Sequence, residues 1–194
     1  MMDTAEVMKV FNRHRGDAIV IPGRGGRHWV KVTTRPGRDL AIADPAMGGH
    51  ASFSLGIALA RPNEKVVLFD ADGDVQMGMG ALVTVAEQKP ANFYHFMLDN
   101  GCYATTGGQP VPNVNGIAYD AIARACGYPR AYAFDNLETF SISLERILGE
   151  PGPVFVALKV RAEIKNEAIG ARKPWRTRSW PEIIAGFRKE FGIA

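Results

Sequence analysis

The sequence predicts an α/β fold of three layers: a doubly wound, mostly parallel sheet with helices on both faces. Three observations carry this. Helix-type and strand-type patterns alternate along the 194 residues, as they do where crossover helices join parallel strands. The strand-type segments are unbroken apolar runs such as Val66-Val67-Leu68-Phe69, as expected of strands buried on both faces. Polar residues follow two of those runs, Asp72-Gly73 and Asn100-Gly101, at the strand ends where open α/β sheets bind ligands.

The elements follow in order. Residues 4–14 read as a helix with Val7, Val10 and Phe11 on one face, and 18–21 as a short strand ending at Pro22-Gly23. Residues 40–43 suggest another strand, and 49–60 a helix of small residues suited to close packing. Strand 66–69 leads through a loop over 73–76 into a helix over 78–88, then strand 93–98. Helix 119–126, strand 131–134, helix 137–148 and strand 154–160 follow, with Asn136 as N-cap of the third of these four helices and strands. The stretch 161–178 is rich in Arg and Lys and reads as a surface arm or a clamp on a partner subunit, before a last helix over 181–191. The division is therefore 1–160 as the ligand-binding domain and 161–194 as a basic arm and helix, either part of that domain or a partner clamp.

Composition narrows the class. A hydrophobic content of 46% is enough for one substantial core. A net charge of +3 makes no electrostatic case for nucleic acid. Two cysteines, Cys102 and Cys126, make neither a disulfide framework nor a Cys-x-x-Cys metal site. No apolar run is long enough to span a membrane and no signal-like core opens the chain, so a cytoplasmic location is expected.

Asp72 and Asn100 give the chemistry. One carboxylate and one carboxamide at neighbouring strand ends, with a backbone carbonyl near Cys102, form an all-oxygen donor set that suits Mg²⁺ bridging phosphate oxygens. The spacing is more specific than that. Asp72-Gly73, Met77, a helix, then Asp99-Asn100-Gly101-Cys102-Tyr103-Ala104-Thr105-Thr106-Gly107-Gly108-Gln109 resembles the diphosphate-binding signature of thiamine-diphosphate-dependent enzymes. Among them it is most similar to the sulfopyruvate/phosphonopyruvate decarboxylase group, over about residues 5–160.

The resemblance implies the thiamine-diphosphate-binding fold, with thiamine diphosphate and Mg²⁺ as cofactors. Asp72 and Asn100 match the metal ligands, with Cys102 lending its main-chain carbonyl. Asp44-Pro45-Ala46-Met47-Gly48-Gly49-His50 resembles the stretch that props the cofactor in its bent shape, so Pro45, Met47 and Gly48 are cofactor contacts and His50 a catalytic candidate. Gly73, Asp74, Thr105 and Thr106 match positions lining the diphosphate. Two departures stand out: Ala71 replaces a glycine, and Asp74 a serine. A carboxylate beside a diphosphate is repulsive unless it points away or pairs with a base.

The resemblance further implies a small 2-oxo acid substrate and a decarboxylase subunit. The glutamate that activates the cofactor would lie on a pyrimidine-domain partner, in a hetero-oligomer or a homo-oligomer. A carboligase of the acetolactate synthase type and a degenerate regulatory subunit are the alternatives. Pro22-Gly23-Arg24-Gly25-Gly26-Arg27-His28 is a flexible turn or a phosphate cradle, and Arg24, Arg27 or His28 could meet a substrate anion. His95 reads as a satisfied core histidine, Cys102 as a packed residue rather than a nucleophile, and Met77 and Met79 as core.

Overall fold

The computed structural model describes residues 1–41, 47–164, 171 and 175–193. Asp3 caps the first helix: its carboxylate accepts the N–H groups of Ala5 (2.9 Å) and Glu6 (3.2 Å). That helix, α1 (Thr4–His14), buries Val7, Met8, Val10 and Phe11. The wholly buried β1 (Ile19–Ile21) runs into a 3₁₀ turn over Gly23–Gly25 and the short α2 (Gly26–Trp29). Then come α3 (His50–Ala60), β2 (Val66–Ala71), α4 (Asp72–Met77), α5 (Gly80–Gln88) and β3 (Phe93–Asp99). A small antiparallel pair follows, β4 (Cys102–Tyr103) with β5 (Gln109–Pro110). The chain continues through α6 (Tyr119–Ala125), β6 (Arg130–Phe134), α7 (Leu137–Gly149), β7 (Val154–Lys159) and α8 (Trp180–Glu190).

The main sheet has five strands in the order β1-β2-β3-β7-β6, all parallel. Helices α1, α2 and α7 cover one face, where Phe11 packs edge-on against Phe69 (5.0 Å) and Phe96 (5.6 Å) and Phe140 closes the layer. On the other face lie Leu55 of α3, Leu82 and Val85 of α5, Ala123 of α6 and Ile183 and Phe187 of α8. Ala71 pairs with Leu98 in the β2–β3 register. Asp72 and Asp99-Asn100 therefore emerge side by side at one edge.

The predicted fold class holds, and several details change. The loop over 73–76 is helix α4, and the helix expected from 78 begins at Gly80. The break is at Gly78, where a Cβ would collide with the Gly48 carbonyl, so the backbone there turns out of helical geometry. The strand at 40–43 is reduced to a parallel bridge between Asp39 and Val20, with Leu40 N–H donating to Val20 O at 2.9 Å; residues 42–46 lie outside the described residues. The glycine-rich stretch after β1 is no flexible turn, because Gly25, Gly26 and Trp29 are buried within it. Met77 is half exposed rather than core, while Met79 packs partly against the core. Asn136 caps α7 as expected, accepting from Glu138 (2.9 Å) and Thr139 (3.1 Å). His95 is fully buried between Asp70 (3.2 Å) and the Tyr128 hydroxyl (3.3 Å), the satisfied core histidine the sequence suggests.

Candidate functional site

A cavity of about 900 Å³ opens at the carboxyl ends of β1, β2 and β3. Its floor is Ala71, Asp72, Gly73 and Asp74, with Leu98, Asn100 and Cys102 beside them. Tyr103 lies over Gly73. Arg24 enters from the loop after β1, Met47 and His50 from the start of α3, and Thr105 from beyond β4. A basic wall stands opposite, made of Arg27, His28, Lys31, Arg161 and Arg176, with Trp175 packed over Gly26.

Asp72 is completely buried. Its Oδ1 accepts from Gly73 N–H (2.9 Å) and its Oδ2 from Gly101 N–H (2.6 Å). Burial pushes its carboxyl up to about 6; those two N–H groups pull the other way, and the nearby Asp99 charge adds to the rise. Three carboxylates among the described residues line the cavity. Asp74 is paired with Arg24 and Glu163 with Arg27 (2.7 Å) and His28 (3.0 Å). Asp72 has no cation among the described residues, so a metal ion fits as its counter-charge. The donor set agrees. Asn100 Oδ1 accepts one bond from Cys102 N–H (2.9 Å), and the Cys102 carbonyl one from Ala104 N–H (3.0 Å). Each oxygen retains a second lone pair, and oxygen donors suit Mg²⁺.

Asp74 answers the repulsion its sequence position raised. Arg24 Nε lies 2.6 Å from Oδ2 and Nη2 3.1 Å from Oδ1, a two-pronged grip. Gly48 N–H donates to Oδ1 at 2.9 Å. Burial alone would raise this carboxyl, but Arg24, Gly48 and His50 hold it below its usual range. Behind it, His50, Asp70 and Asp74 place potential ligand atoms within 4.8 Å of one another. Arg24 and His95 already occupy those two carboxylates.

The structure brings together Met47, His50, Asp72, Gly73, Asp74, Asn100, Cys102 and Thr105 around one cavity. Gly48 and Thr106 are not in its lining: Gly48 backs Asp74, and Thr106 Oγ1 donates to Tyr103 O (3.3 Å) and Gln109 Oε1 (3.2 Å) within its own turn. Pro45 lies outside the described residues. Burial pushes the Cys102 thiol up, with Asp72 adding to the effect, against any nucleophilic role. Sequence reasoning passed over Lys31, Tyr103, Arg161, Trp175 and Arg176 as site residues. Lys31 had a readable signal, lying four residues after Arg27 in helical spacing, and so had Tyr103, inside the Asp99–Gln109 signature, whereas the others come from segments joined only by folding.

A doubly wound α/β domain with a buried, cation-seeking carboxylate and a carboxamide at adjacent strand ends defines a phosphate- and metal-binding domain. Comparison with known proteins makes this specific. The family described as "Thiamine pyrophosphate enzyme, C-terminal TPP binding domain" matches residues 39–158, and the chain belongs to it. Phosphonopyruvate decarboxylase of Streptomyces hygroscopicus is 33% identical over 176 residues, covering 81% of this chain and 43% of that protein. The sulfopyruvate decarboxylase subunit beta of Methanococcus maripaludis is 29% identical over 163 residues, covering 83% of this chain and 85% of that subunit. The thiamine diphosphate-dependent 4-hydroxybenzoylformate decarboxylase of Rhodococcus jostii RHA1 shares the fold, with a TM-score of 0.65 at 19% identity over 84% of this chain and 33% of its own. The chain thus spans less than half of the phosphonopyruvate decarboxylase it matches but most of the beta subunit. Among the described residues no helix is long and apolar enough to cross a membrane.

Proposed function

We propose that this chain is the diphosphate-binding subunit of a two-chain, thiamine-diphosphate-dependent decarboxylase acting on a small 2-oxo acid with an anionic tail. The observation that carries this is Asp72, buried at the cavity floor beside Asn100 with no cation among the described residues to answer it. Asp72, Asn100 and the Cys102 carbonyl would hold Mg²⁺, and Met47, Gly73 and Thr105 would border the cofactor. When bound, thiamine diphosphate supplies a nucleophilic ylid and an electron sink for the decarboxylation of a 2-oxo acid.

The chain's own side chains do the positioning. Arg27, Lys31, Arg161 and Arg176 offer positive charge to a sulfonate or phosphonate tail at the cavity wall. Trp175 and Tyr103 line the cavity, over Gly26 and Gly73, and would limit water around a bound substrate. The activating glutamate is assigned to a partner subunit. Glu163, the one glutamate among the described lining residues, is already held by Arg27 and His28.

The test is reconstitution. Proteins that co-purify with the tagged chain in the presence of thiamine diphosphate and Mg²⁺ are identified, and CO₂ release from sulfopyruvate and phosphonopyruvate is followed with and without them. Turnover by the complex and none by the chain alone supports the reading. Turnover by the isolated chain that Asp72→Ala abolishes would refute the shared site.

A further inference from the structure

Glu163 is the odd charge on the cavity's basic wall. Among the described lining residues Arg27, Lys31, Arg161 and Arg176 supply four cations there, and Glu163 is the one carboxylate set among them. Its Oε2 accepts from Arg27 Nη2 at 2.7 Å, and its Oε1 lies 3.0 Å from His28 Nε2. The Glu163 side chain is 37% exposed, with those of Arg27 and His28 at 29% and 13%. A half-exposed ion pair of this kind contributes little on its own, so it yields to a better anion.

His28 is caught between two partners. Its Nε2 also lies 3.2 Å from Arg27 Nε. One ring nitrogen cannot accept from Arg27 and donate to Glu163 at once. Burial holds the His28 pKa below the ordinary histidine range, with Glu163 pulling the other way. A neutral ring therefore meets one of its partners well and the other badly. The carboxylate fills this anion site without satisfying it.

The backbone is held on both sides of Glu163. Val160 bridges Met2, and Arg161 N–H donates to Met2 O at 2.8 Å. Ile164 packs over Gly108, where an added Cβ would lie 2.5 Å from its Cδ1. Withdrawal of Glu163 is thus a side-chain rotation that leaves Arg27 and His28 where they are.

We propose that Glu163 occupies the place of the substrate's anionic tail, and that a sulfonate or phosphonate displaces it from Arg27 and His28. The proposal rests on the 2-oxo acid reading above and deepens it. A tetrahedral oxyanion brings three oxygens where the carboxylate brings two, so it engages both groups and still offers an oxygen to the rest of the basic wall. An uncharged tail leaves Glu163 in place, and a carboxylate tail only exchanges like for like. Glu163 is thereby a specificity-determining residue, which reserves the wall for strongly anionic tails. The same contacts also tie the segment after β7 to α2, a structural role that the test must separate.

Methylphosphonate and methanesulfonate are titrated into the whole chain with Mg²⁺ and thiamine diphosphate present, and the His28 ring signals are followed by NMR. Glu163→Gln keeps the size and hydrogen bonding of the side chain and removes the competing charge. It is expected to bind both anions about tenfold more tightly than the unaltered chain, the worth of one charge-assisted contact. Arg27→Met added to Glu163→Gln should remove that gain. If Glu163 only ties the two segments together, the amide variant melts lower and its anion affinity does not rise.

An anion affinity in Glu163→Gln within about twofold of the unaltered chain overturns the proposal, and so does a gain that survives Arg27→Met. Should Glu163→Gln fail to fold, the Glu163 carboxylate ¹³C signal of the unaltered chain decides: a shift on saturation with methylphosphonate supports displacement, and no shift overturns it. Thiamine diphosphate affinity, measured by calorimetry, separates the two sources of such an anion. Equal affinity in both proteins leaves the site to the substrate, whereas a rise of about tenfold in Glu163→Gln assigns it to the cofactor's diphosphate and overturns the proposal. An unaltered chain that binds no thiamine diphosphate refutes the cofactor reading itself, and the proposal with it.

Discussion

Replacing Asp72 with asparagine isolates what it costs to hold a charge at the cavity floor. The Asp72 carboxyl titrates at about 6 in the folded chain, against 3.8 for an ordinary aspartate. Between those values the folded chain keeps a proton that the unfolded chain has lost. Stability contributed by this group is therefore greatest at low pH and falls as pH rises through that window. The gap of about two pH units, at about 1.36 kcal/mol each, amounts to roughly 3 kcal/mol, of which roughly 2–3 kcal/mol is lost between about pH 4 and pH 7. Asparagine does not titrate. It keeps one acceptor oxygen for either Gly73 or Gly101 and gives up the other bond, a constant offset of about 1–3 kcal/mol. The informative quantity is thus the difference between the two proteins as a function of pH. Urea unfolding in the presence of a chelator should show the unaltered chain losing roughly 2–3 kcal/mol relative to Asp72→Asn from about pH 4 to pH 7, or roughly 4–12 °C in melting temperature. Adding Mg²⁺ and thiamine diphosphate above pH 7 should restore the unaltered chain and leave Asp72→Asn unmoved. Parallel curves across the range would refute the burial argument, and an unaltered chain that Mg²⁺ and thiamine diphosphate leave no more stable would refute the assignment of Asp72 as the metal's carboxylate.

Three further outcomes follow from the packing. Gly23→Ala forces a Cβ against the Phe69 carbonyl at φ +44°; it should cost about 1–3 kcal/mol in thermal unfolding. Asn136→Ala removes the α7 cap and should cost about 1 kcal/mol, with cofactor affinity unchanged by calorimetry because Asn136 is not in the cavity. Phe11→Ala empties the centre of an aromatic cluster on the α1 face and should cost about 3–5 kcal/mol, read as a lower urea midpoint at unchanged slope.

The architecture was legible because its strands are buried on both faces and so read as continuous apolar runs; 66–69, 93–98 and 154–160 locate β2, β3 and β7 to within two residues. The helix α1 and the Asn136 cap were legible for a local reason, since capping acts over three residues. Residues that follow a strand inherit its register, which is why Asp72 and Asn100 were readable as neighbours. What was not legible depends on contacts between distant segments. The break between α4 and α5 comes from Gly78 meeting Gly48, and nothing in the local pattern marks it. Met77 looked apolar enough for the core, but α4 turns it outward. Trp175 and Arg176 reach the cavity from the C-terminal segment, where composition suggested a surface arm.

The charges near the cavity explain why a single carboxylate is the informative one. Asp99 is paired with Lys159 at 3.0 Å, Asp74 with Arg24, Glu163 with Arg27, and the more distant Asp39 with Arg15 at 3.0 Å. Among the described residues each of these four carboxylates has an arginine or lysine partner, whereas Asp70, behind the floor, faces histidines and Asp72 is supported by backbone N–H groups. A fold that neutralises four such groups internally could neutralise a fifth, and removing an unpaired buried charge is ordinarily stabilising. Among the described residues nothing supplies a positive charge to Asp72, which is what a bound metal ion would do.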